Sequence, residues 1–237
     1  MTDIYLELAG KKAVARSLEW PGWCRIRARE EEAIQALIEV EPRYRLIAQR
    51  AGLDFTPGDL VVVERLAGDA NTAWGLPAVQ APGESRPINA ATAQRSVALL
   101  RASWEIQEEV VASSPEELRK GPRGGGRERD EIRRHVIEAE RAYARKIGVR
   151  HKPFGVNDLG ALKAMREEIA TMLSRPASGK PLVPDGWNAS YAFRRMAWHV
   201  VDHIWEIEDR RDSFLQDQRT TTLMKGRTHY HHVPSEE

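Results

Sequence analysis

The longest run of helical spacing in the chain covers residues 191–210. Phe193, Met196, Val200, Ile204 and Ile207 fall on one stripe there, while Trp198 and Trp205 point to nearly the opposite side. The same period predicts three earlier helices. One spans 90–111, with Val97, Leu100, Trp104, Ile106 and Val111 apolar. The next starts at Asp130, with Ile132, Val136, Ala139 and Tyr143 inward, and Gly148 stops it. A third, capped by Asn157-Asp158, runs to Met172 on Leu162, Met165 and Ile169. The Pro- and Gly-rich run SRPASGKPLVPDGW separates it from the fourth.

Before residue 67 the period changes. Ile4, Leu6 and Leu8 alternate with polar neighbours, residues 13–18 form a second run, and Cys24, Ile26 and Ala28 alternate again. Three strands follow from this, turning at Gly10-Lys11 and at Pro21-Gly22. Glu30, Glu31 and Glu32 open a helix whose first turn suits negative charge; Ala33, Ile34, Leu37 and Ile38 supply its core face, and Pro42 breaks or kinks it. The run DLVVVERL over 59–66 predicts a further strand. Residues 68–86, rich in Gly, Ala and Pro, hold no period and read as a connecting loop. The fold class expected is therefore α+β. A small α+β module covers 1–67, the loop 68–86 and a four-helix bundle 87–216, and a polar tail over 217–237 reads as disordered.

Charge excludes more than it suggests. Lys and Arg total 36 against 35 acidic residues, so no bulk field favours nucleic acid or a membrane surface as partner. No apolar run approaches the roughly 20 residues of a bilayer span. The N-terminus has neither a basic leader nor an apolar h-region, and the single cysteine, Cys24, excludes an internal disulfide, so a cytoplasmic protein is expected. Cys24 reads as a small buried hydrophobe rather than a nucleophile.

Chemistry concentrates on three histidines. His199 and His203 lie one turn apart at the edge of the fourth helix's stripe, with Glu206 just beyond. His135 holds the same edge on the second bundle helix, with Glu138 one turn on. Three imidazoles on facing helices leave a coordination position open, as in a catalytic metal site, with Glu138, Asp202 and Glu206 as candidate acceptors for the outer ring N–H groups. Spacing alone favours three unrelated histidines at a core margin, hydrogen-bonded to neighbouring carboxylates, because an HxxxH pair is common. Between the first two bundle helices, three consecutive glycines are flanked by Arg123 and Arg127; no Walker spacing accompanies them. Arg123, Arg127 and Arg194 are the basic groups that could orient an anionic part of a cofactor.

From about residue 87 to 214 the chain resembles the DinB-like family of four-helix bundles. The likeness rests on helix order, on RRHVIEAERAY in the second helix and on WHVVDHIWEIE in the fourth. It implies that His135, His199 and His203 hold a divalent metal, zinc or nickel. It also implies a transferase or isomerase acting on a small-molecule substrate with a low-molecular-weight thiol: mycothiol, bacillithiol or glutathione. The segment LEWPGWCRIRAREEEAIQALI resembles the start of a HicB-like domain, a partner-binding module, though Trp23 separates Gly22 from Cys24 and no DNA-binding segment accompanies it. A metal-dependent thiol transferase is the leading expectation. A non-enzymatic binding or sensor protein with a structural bundle, and a metal-dependent hydrolase, stay open. The Trp198/Trp205 face suits a contact with the N-terminal module or with a second copy in a homodimer.

Overall fold

β1 (Thr2–Ala9), β2 (Lys12–Ser17) and β3 (Cys24–Arg27) form an antiparallel meander. α1 (Glu30–Glu39) and α2 (Glu41–Arg50) then lead to β4 (Leu60–Ala67), which pairs in parallel with β1, giving the order β3-β2-β1-β4. This computed structural model describes the backbone of residues 1–121 and 125–226, and side chains through Arg211. Alternation along β1 buries Ile4 and Leu6 as expected, with Leu6 opposite Ala15 of β2.

Two details of this module differ from expectation. Ile38 is 44% exposed, and Ala36 takes its place beside Ala33 and Leu37 in the buried face of α1. Pro42 marks the expected break after α1, but it also opens a second helix that was not expected. It stands in the first turn of α2, where its missing N–H costs no intrahelical bond, and Tyr44, Ile47 and Ala48 are buried behind it.

Residues 68–86 are more ordered than a plain connector. They hold α3 (Ala70–Ala73) and a 3₁₀ turn at Pro82–Ser85. Distant side chains supply some of their hydrogen bonds. The buried Glu7 carboxylate accepts from the Ala78 and Val79 amides at 3.2 Å each and pairs with Arg16, whose Nη2 donates to the Val79 carbonyl at 2.8 Å. This explains why no local period marks the segment: part of what holds it comes from two strands more than sixty positions away.

The helical part comprises α4 (Ala90–Ser113), α5 (Arg129–Arg145), α6 (Leu159–Leu173) and α7 (Ala189–Gly226). Asn89 and Asp158 cap α4 and α6, accepting from the Thr92 and Ala161 amides at 2.8 and 2.9 Å. Each helix turns its apolar stripe inward, and α7 packs against both α4 and α5. The α7 backbone stays helical through Gly226, so residues 217–226 are not the coil expected of a tail; residues 227–237 lie outside the described residues. No described helix is long and apolar enough to cross a membrane.

One core runs from the sheet into the bundle. Trp20, Trp23, Tyr44 and Phe55 form an aromatic cluster, with Trp20 and Trp23 packed edge-on to Phe55 at 4.8 and 4.9 Å between ring centroids. The Pro21-Gly22 turn rests directly on α7. Gly22 has φ +95°, and a Cβ there would lie 3.1 Å from Val201 Cγ2 and 3.3 Å from Ala197. The tryptophan face of α7 meets the chain's own module. Trp198 packs on Val14 and Cys24, and the guanidiniums of Arg25 and Arg43 sit 5.2 and 5.3 Å from the Trp205 ring. The sheet thus braces the helix that carries two of the histidines.

Candidate metal centre

His135 projects from α5 toward α7, where His199 and His203 stand one turn apart. The three ring centroids are 4.7 to 5.0 Å from one another, and one nitrogen from each ring lies within 4.8 Å of the others. The Nε2 atoms of His135 and His199 are 3.1 Å apart. Two nitrogens bound tetrahedrally to one metal at about 2.0–2.1 Å would be separated by about 3.3 Å, so the spacing fits shared coordination.

The surroundings favour the neutral, metal-binding form of His199 and His135. Burial pushes the His199 pKa well below its ordinary value, and the charges of His203, His135, Arg195 and Arg127 act in the same direction. His135 is lowered too, first by burial and then by His203 and Arg127, with Glu206 and Glu138 opposing. His203 donates through Nδ1 to Glu206 Oε2 at 2.7 Å, which turns its Nε2 toward the other rings. Glu206 also accepts from Arg210 Nη1 at 3.0 Å. Burial alone would raise the Glu206 pKa, but the hydrogen bond and charge of His203, with Arg210, bring it below the ordinary value. These residues fit a divalent ion with one position left for another ligand.

The remaining expected residues divide. Asp202 faces Arg25 at 3.7 Å rather than a ring nitrogen. Glu138 makes no hydrogen bond to a histidine among the described residues; it is exposed and lines a hollow of about 500 Å³ with Arg134, Arg141 and Phe154. Arg194 is no cofactor clamp. It is buried against Glu84 (Nε to Oε1, 2.5 Å) and donates to the Pro77 and Val79 carbonyls at 2.7 and 3.1 Å, tying the 68–86 segment to α7. Arg127 is exposed, without an ion pair among the described residues, and its charge reaches His135 and His199. Arg123 lies outside the described residues. The neighbouring glycine loop meets the site at its Glu206 end, where a Cβ on Gly126 (φ +126°) would lie 2.9 Å from Arg210 Nη2. His151 lies apart from the three histidines, is partly covered and pairs with Glu168 at 2.8 Å.

Two wall residues escaped the sequence reading. Tyr143 of α5 sits 5.6 Å from the His199 ring, and the Arg195 guanidinium lies between Tyr143 and Trp198. Their spacing was a usable signal, since Arg195 is four residues before His199 and Tyr143 eight after His135. Compared with protein-family models, with curated proteins and with solved structures, the chain gives no match.

Proposed function

We propose that this chain binds one divalent metal, zinc or nickel, through His135, His199 and His203, and acts as a metal-dependent thiol transferase or isomerase of the DinB-like kind. The observation that carries the reading is the convergence of three rings from two helices, with the outer nitrogen of His203 tied to Glu206. Three ligands of this kind suit a catalytic ion better than a closed structural site. A metal held there supplies a Lewis-acid centre that lowers the pKa of a bound thiol or water.

The chain's own groups supply the rest. Glu206 fixes the His203 tautomer and is itself oriented by Arg210. Trp198 and Tyr143 wall the His199 ring from water. Arg127 attracts an anionic cofactor to the mouth. The N-terminal module serves as a brace for α7. A thiol-transfer screen with mycothiol, bacillithiol and glutathione against electrophilic substrates tests the reaction. Turnover should need added metal and vanish in His203→Ala; turnover that His203→Ala leaves intact would refute the assignment.

A further inference from the structure

Arg195, His199 and His203 follow one another at intervals of four on α7, so they share one stripe, and that stripe meets α5. On α5 the facing side chains are His135 and, two turns on, Tyr143. The interface therefore has a histidine layer and, directly behind it, a layer made by Arg195 and Tyr143. The Arg195 guanidinium carbon is 5.7 Å from the Tyr143 ring centre and 4.8 Å from that of Trp198. Both rings flank His199, at 5.6 and 5.9 Å.

What distinguishes Arg195 is that no carboxylate among the described residues pairs with it. It is 8% exposed and its Nη1 is enclosed without a hydrogen-bond partner. The comparably buried Arg16, Arg166 and Arg194 each face a carboxylate. Of the acids around the histidines, Glu206 is engaged by His203 and Arg210, Asp202 pairs with Arg25, and Glu138 is exposed on the outer side of α5. Two aromatic faces offset only part of the cost of burying a cation.

We propose that Arg195 receives a carboxylate of the ligand that occupies the open position of the histidine centre, which makes the substrate class a small organic anion. The inference rests on the metal reading above. A guanidinium held between two ring faces keeps its in-plane N–H edge for a planar acceptor, which a carboxylate matches in geometry and charge.

The test uses the full chain loaded with cobalt(II), whose visible absorption reports what enters the coordination sphere. It compares 3-mercaptopropionate with the uncharged 2-mercaptoethanol. The wild type should bind the carboxylate-bearing thiol at least about tenfold more tightly. Arg195→Met should remove that preference while leaving 2-mercaptoethanol binding unchanged, and Arg195→Lys should keep part of it. No preference in the wild type, or one that survives in Arg195→Met, would overturn the assignment. Should Arg195→Met not fold, the wild-type comparison and Arg195→Lys still decide; full preference in the lysine variant would count against a role for the planar fork. Failure to take up cobalt at all would instead overturn the metal reading, and this assignment with it.

Discussion

His199 is the most enclosed of the three rings, and its burial lowers its pKa and sets how the protein responds to acid. An unfolded histidine titrates near about 6.5, while His199 and His135 titrate lower in the fold. Between those values the unfolded chain holds more protons, so stability rises with pH across the window. The contribution of the neutral rings is complete above about pH 6.5 and is lost as pH falls toward their folded values. The melting temperature of metal-free protein should therefore drop below about pH 6.5, and part of that drop should be absent in His199→Gln. A wild-type profile identical to that of the variant would contradict this. At this scale the histidines were legible because four-residue spacing on an amphipathic helix already places two rings together. Arg194 was misread because its partners, Glu84 and the carbonyls of Pro77 and Val79, lie more than a hundred positions away. Nothing local in the chain marks a side chain whose acceptors arrive from another element.

Among the elements, α7 and the β2–β3 turn depend on each other most closely. Gly22 combines a positive φ with near contact to the Ala197–Val201 segment, the stretch of α7 that carries His199. Gly22→Ala should cost about 1–3 kcal/mol in urea unfolding and weaken metal retention by shifting that helix. A stability within about 0.3 kcal/mol of wild type would show that the turn relaxes freely. The four long helices and four strands were readable because each buries one face and so imposes its own period. α2 escaped because Pro42 reads as a breaker, although Tyr44, Ile47 and Ala48 already showed helical spacing behind it. The short helix and turn within 68–86 had no period to show, since Glu7 and Arg16 hold part of that segment in place.

For the molecule as a whole, the sheet and the bundle share one core, and α7 carries two of the three clustered histidines on one side and packs on the N-terminal module with the other. The α+β class was visible in the change of period between the two halves. Their packing was visible only as a tryptophan face needing a partner, which proved to be the chain's own β2 and β3 with Arg43 of α2. This arrangement brings three imidazoles together, and on the proposed reading they share one ion. The most direct test of that reading is the metal-to-protein ratio of untagged protein after equilibration with zinc or nickel and removal of the excess. One ion per chain is expected in the wild type, and near none in His135→Ala and in His203→Ala. A wild-type ratio far below one, or a full ratio that both variants retain, would contradict it.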